Sequence, residues 1–111
     1  MVAKNLLSQT PPFPVGQALK RLGVNLRTAR LRRNLTIKEV AEKIGTGPRA
    51  VSDAEKGKPS TGVVVYAALL WAYDLLGPME ALADPARDEE GLSLELSSGR
   101  ARATNALDND F

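Results

Sequence analysis

Residues 35–57 read LTIKEVAEKIGTGPRAVSDAEKG. Thr36 and Glu39 make a T-x-x-E capping box, in which the Thr hydroxyl accepts from the amide three residues on and the Glu carboxylate accepts from the Thr amide. The spacing then predicts a short helix over 37–44, with Ile37, Val40, Ala41 and Ile44 on one face. Gly45 ends it. Gly47-Pro48 opens a second short helix to about Lys56, with Val51 and Ala54 inward, and Gly57 closes it. Two such short helices crossing steeply need three things: a small residue where the backbones approach, a residue permissive of positive φ in the turn, and a branched apolar anchor on the second helix. Ala41, Gly45 and Val51 supply them.

Upstream, residues 1–13 are polar and then Pro-rich (Pro11, Pro12), which predicts an extended arm. A helix is expected from Pro14 to about Arg33, with Val15, Leu19, Leu22, Leu26 and Ala29 as its apolar stripe. Gly23 inside this helix costs about 1 kcal/mol against Ala and points to a close packing contact. Asn34, tolerant of the left-handed conformation, is the expected stop.

Downstream, Pro59-Ser60-Thr61 precedes an apolar helix from Gly62 to about Leu75, and Gly77-Pro78 opens a last helix ending near Ala83. The spacing of Tyr66, Trp71 and Tyr73 reads chiefly as core, with a dimer face or a partner groove as the other reading. From Pro85 the composition changes. Asp84, Asp88, Glu89 and Glu90 read as an acidic loop, and Leu92, Leu94 and Leu96 alternate as in a half-buried strand over 91–97. A lone strand must pair, so two readings stand together: a two-stranded sheet between subunits, or an acidic tail that orders only on a partner. Residues 98–111 read as a polar tail. The organisation expected is an arm (1–13), an all-α domain (14–84) with helices near 14–33, 37–44, 48–56, 62–75 and 78–83, and a C-terminal strand or tail (85–111).

Composition narrows the function. The chain has 111 residues with neither Cys nor His. That removes disulfides, thiolate zinc sites, thiol nucleophiles and the usual general base, so the reading is of a protein that is not an enzyme and needs no metal or cofactor. Val63 to Trp71 is too short to span a bilayer, and the N-terminus lacks a secretory h-region, so a cytoplasmic protein without a membrane partner is expected. The net charge of +2 hides an asymmetry. Residues 1–58 hold 12 Lys/Arg against 4 Asp/Glu, a net of +8; residues 59–111 hold 3 against 9, a net of −6. The first half suits a polyanion, the second water or a different partner.

Helix, Gly-containing turn and second helix are together the helix-turn-helix arrangement, whose second helix enters the DNA major groove. The run Leu22-Gly23, Leu26-Arg27, Arg30, Leu35-Thr36-Ile37, Glu39-Val40-Ala41, Ile44-Gly45, Val51-Ser52 and Glu55-Lys56-Gly57 resembles the Cro/CI-type (Xre) regulators. Tyr66, Leu70-Trp71-Ala72, Leu75-Leu76 and Leu82-Ala83-Asp84-Pro85 are similar to a narrower group, the HipB-like antitoxins that accompany HipA-type kinases.

The resemblance implies a five-helix lambda-repressor-like fold and a recognition helix at Pro48 to Lys56. Pro48, Arg49, Ser52 and Asp53 would face base edges, Arg49 as the guanine reader. Thr46 and the Gly47 amide would meet phosphate at the helix N-terminus, while Lys38, Lys56 and Lys58 would line the DNA backbone. Arg27 and Glu55 would form a semi-buried ion pair between the first and third helices. Three residues depart from the family pattern: Ile37 stands where Gln is usual, Pro48 has no backbone N–H, and Asp53 repels phosphate. The resemblance implies a homodimeric repressor on double-stranded DNA, autoregulating beside a HipA-like kinase toxin. A solitary or phage-type repressor, and a protein-binding module with weak DNA binding, are the alternatives.

Overall fold

The computed structural model describes residues 6–108, with side chains as far as Gly99. It is helical among the described residues: α1 (Leu6–Gln9), α2 (Phe13–Arg32), α3 (Ile37–Ile44), α4 (Pro48–Glu55), α5 (Val63–Ala72), 3₁₀ turns at Gly77–Ala81 and Pro85–Arg87, and α6 (Glu89–Asp108). The chain divides into two compact units between Gly77 and Pro78.

The core of the first unit lies among α2, α3, α4 and α5. Leu26 and Ala29 meet Val40, Ala41, Val51, Ala54, Tyr66, Leu69 and Tyr73, all buried. The stripe expected on α2 sinks progressively: Val15 is exposed, Leu19 and Leu22 are partly buried, Leu26 and Ala29 are core. On α5, Tyr66 and Tyr73 fall seven residues apart on the inner face, whereas Trp71 is exposed. Gly23 makes the close contact its position implied. A Cβ there would lie 2.5 Å from the Glu55 carbonyl oxygen, and one on Gly57 would lie 2.5 Å from that of Leu19. The backbones of α2 and the end of α4 thus touch through two glycines.

Four successive helices end alike. After α2, α3, α4 and α5 the chain turns left-handed at Asn34 (φ 55°), Gly45 (83°), Gly57 (69°) and Asp74 (61°). In each case the following amide reaches back five residues: Leu35 to Arg30, Thr46 to Ala41, Lys58 to Asp53 and Leu75 to Leu70. This is the Schellman closure, which satisfies carbonyls a helix end leaves open. Asp74 stops α5 at Ala72, three residues short of the expected Leu75.

The second unit and the N-terminus correct the sequence reading. Residues 6–9 form one helical turn, with the Thr10 amide and hydroxyl both bonded to the Leu6 carbonyl, where an extended arm was expected. Residues 1–5 of that arm lie outside the described residues. The expected helix 78–83 is a 3₁₀ turn, Gly77–Ala81. The expected strand over 91–97 is part of α6. The acidic run is its N-terminus: Asp88 accepts from the Gly91 amide at 3.0 Å, and Glu89 and Glu90 occupy the first turn, where the helix dipole favours carboxylates. Ser97 and Ser98 turn their hydroxyls back to the Leu94 carbonyl. Residues 98–108 continue the helix, where a tail was expected, and 109–111 lie outside the described residues. Among the described residues no helix is long and apolar enough to cross a membrane.

Candidate nucleic-acid interface

The capping box forms as its sequence implies. The Glu39 amide donates to the Thr36 hydroxyl at 3.0 Å and the Thr36 amide donates to the Glu39 carboxylate at 2.8 Å. It sets the start of α3, whose inner face buries Val40 and Ala41. Ala41 then accepts twice at the other end, from the amides of Gly45 and Thr46, both at 2.9 Å. The turn therefore leaves α3 in a fixed direction and delivers the chain to Gly47, the N-cap of α4.

Two faces of α4 differ sharply. Val51 and Ala54 have no exposed surface. Pro48 and Arg49, in the first turn, stand in solvent, and Ser52 and Asp53 are half-buried. Gly47 offers no side-chain cap, Pro48 has no N–H, and the Ala50 amide donates to the Gly47 carbonyl at 3.2 Å, so of the opening amides of α4 that of Arg49 is left to solvent or an anion. Lys38, on the first turn of α3, and Lys56, just past α4, are exposed, and Thr46 is half-buried in the turn. Lys58 and Asp53 meet each other: Nζ lies 3.2 Å from Oδ1. A pair this open to solvent is worth about 0–1 kcal/mol, so Lys58 can exchange it for a phosphate at little cost, while Asp53 has its repulsion of phosphate partly screened.

The ion pair that grips α4 is present with a different cation. Glu55 is held by Arg30, not by Arg27: Nε donates to Oε2 at 2.7 Å and Nη2 to Oε1 at 3.0 Å. Arg30 Nη1 also donates to the Leu35 carbonyl at 2.9 Å. Both side chains are almost wholly buried, 8% and 6% exposed, and the Glu55 carboxylate holds the guanidinium above its ordinary pKa. Arg27 is exposed. The buried stripe of α2 decides between them, because Arg30 follows Leu26 by four residues and so lies about 40° from it, whereas Arg27 is turned about 100° from Leu26. Counting four residues on from Leu26, the deepest member of that stripe, finds Arg30. A second clamp was not anticipated: Arg33 donates to the carbonyls of Ala29 and Tyr73, both at 2.9 Å, with its guanidinium carbon 5.5 Å from the Tyr73 ring centroid. It ties the end of α2 to the end of α5.

Pro48 also borders a shallow groove shared with the end of α2 and the start of α3. Its apolar members are Leu31, Leu35, Ile37 and Pro48, and Arg30, Asn34, Thr36 and Lys38 complete its lining.

A family model described as a helix-turn-helix domain matches residues 21–83. The chain belongs to that family. The helix-turn-helix itself is α3, the Gly45 turn and α4, and DNA binding is what this architecture serves. No curated protein and no solved structure gives a significant match to the chain.

Proposed function

We propose that this helix-turn-helix protein is a sequence-specific repressor that binds an inverted-repeat operator as a homodimer. The observation that carries the reading is the division of α4. Its inner face is sealed in the core, its far end is gripped by Arg30, and its first turn stands in solvent. Base reading requires side chains on a rigid element presented at a fixed place. Arg49 reads guanine through O6 and N7, with Ser52 beside it. The Thr46–Gly47 end of α4 meets a phosphate, and Lys38, Lys56 and Lys58 follow the DNA backbone.

Dimerisation is supported by scale and by α5. One recognition helix reads only a few base pairs; two read half-sites about 34 Å apart. α5 is apolar all round, and a helix of that kind belongs in a buried setting, yet Val63, Val64 and Trp71 are exposed. A second copy against this face would cover them.

Within that function the chain is read as the autoregulating antitoxin of a HipA-like kinase. The support is the resemblance from Tyr66 to Pro85 and one face of α6, where Leu92 and Leu96, a turn apart, are exposed with Glu89. An apolar and acidic surface suits a protein partner. It also favours, as a second reading, a protein-binding module that holds DNA weakly. A sheet between subunits has no place in either, because residues 91–97 are helical. The chain acts by binding in the cytoplasm, on the nucleoid, without catalysis, cofactor or metal.

Selection of duplexes from a random pool tests the repressor. Enrichment of an inverted repeat with half-sites one turn apart is expected; failure to bind any duplex overturns it. Co-purification with a kinase-like protein encoded beside the gene is expected for the antitoxin, and a chain that purifies alone from its native source contradicts it.

A further inference from the structure

The groove beside α4 has a chemistry that polar base reading does not use. Ile37 opens α3 and Pro48 opens α4, and both line it together with Leu31 and Leu35. Pro48 is exposed and Ile37 half-exposed, so this apolar surface is open to a ligand. Two of the polar groups that line it, Thr36 and Arg30, are already engaged, while Asn34 and Lys38 stand in solvent. The Thr36 hydroxyl accepts from the Glu39 amide, and the Arg30 guanidinium holds Glu55 and the Leu35 carbonyl. Pro48 has no amide to donate. What the groove offers is a largely hydrocarbon notch, with Asn34 and Lys38 as the free polar side chains of its lining.

On the reading that α4 enters a major groove, the notch lies where the helix starts, beside Arg49 and next to the phosphates that Lys38 meets. The major groove displays one hydrocarbon group, the C5-methyl of thymine, and apolar side chains are its usual contacts. We infer that Ile37 and Pro48 together read a thymine methyl group, and so set operator specificity alongside Arg49. The inference rests on the repressor reading above. It gives the two least polar residues of the interface a task, where a polar pair would have read a base edge through hydrogen bonds.

The test uses the full chain and a duplex that it selects from a random pool. Each thymine in turn is replaced by uracil, which deletes one methyl group and leaves every hydrogen-bonding edge intact. One or two positions in each half-site lose about fourfold in affinity, the worth of one buried methyl group, and the other thymines lose nothing. In Pro48→Ala and Ile37→Ala proteins the thymine and uracil duplexes converge at those positions, the signature of a pairwise coupling. Ile37 touches the edge of the core, so Pro48→Ala, at an exposed residue, carries the same test without risk to the fold. Lys38→Ala weakens both duplexes alike and keeps the ratio. If no thymine responds, or if the ratio persists in both variants, the methyl contact is overturned while DNA binding stands. If the wild-type chain binds no duplex, the repressor reading falls and the inference with it.

Discussion

The guanidinium of Arg30 donates three hydrogen bonds, two to Glu55 and one to the Leu35 carbonyl, from a buried position. It joins the end of α2, the turn into α3 and the end of α4. Removing one partner of such a pair strands a buried charge, at a cost of about 3–5 kcal/mol, whereas replacing both by apolar residues is often neutral. Glu55→Gln should therefore lower the stability measured by urea unfolding severely, and Arg30→Met combined with Glu55→Leu should recover most of the loss. Tyr73 carries the opposite lesson. Its hydroxyl is buried with no hydrogen-bond partner among the described residues. Burial pushes the phenols of both Tyr66 and Tyr73 above their ordinary 10.0. The unfolded chain therefore gives up these protons first, and the contribution of these two groups to stability is complete below about pH 10 and lost as pH rises through the folded values. Tyr73→Phe should match or exceed wild-type stability at about pH 7 and keep more of it at about pH 11, by urea unfolding at each pH. At this scale the capping pair and Gly45 were legible in the sequence because each acts within four residues. The cation for Glu55 was not, because a family pattern placed it on Arg27 while the helical stripe of the same segment favoured Arg30.

At the scale of elements, the left-handed closures fix where each helix stops, and they differ in what surrounds them. Gly45 has open space around its α-carbon, so Gly45→Ala should cost only the left-handed penalty, about 1 kcal/mol. Gly57 shares that conformation but faces the Leu19 carbonyl and the Lys20 α-carbon, so Gly57→Ala should cost about 1–3 kcal/mol more. Gly23→Ala should fall with Gly57→Ala, since its Cβ would meet the Glu55 and Ala54 carbonyls. Thermal melting of the three variants checks the order. Equal losses would show that crowding between α2 and α4 does not matter. The α3–α4 pair was legible because its boundaries are written in Thr36, Gly45, Gly47 and Gly57. α6 was not: Leu92, Leu94 and Leu96 satisfy a strand period, and Leu92 and Leu96 a helical one equally. The discriminating signal was Asp88-Glu89-Glu90, a capping residue followed by two carboxylates at a helix N-terminus.

For the whole molecule, every buried core residue among the described residues lies between Leu26 and Tyr73, so the first unit carries its own hydrophobic support. A chain ending at Gly77 should keep a cooperative thermal transition close to the full-length one, seen by circular dichroism; a collapsed transition would show that the second unit is needed for folding. The basic first half and acidic second half follow this division closely. DNA binding is then placed on the first unit, where α3 and α4 lie. Equilibrium titration of a selected duplex against wild-type, Arg49→Ala and Lys56→Ala proteins over a range of salt concentrations puts the central claim to its most direct test. Affinity should fall linearly on a log–log plot against salt. Arg49→Ala should lose about 1–3 kcal/mol on the selected site and much less on an unrelated duplex, while Lys56→Ala weakens both about equally. An Arg49→Ala protein that binds the selected site as tightly as wild type would show that the first turn of α4 does not read DNA.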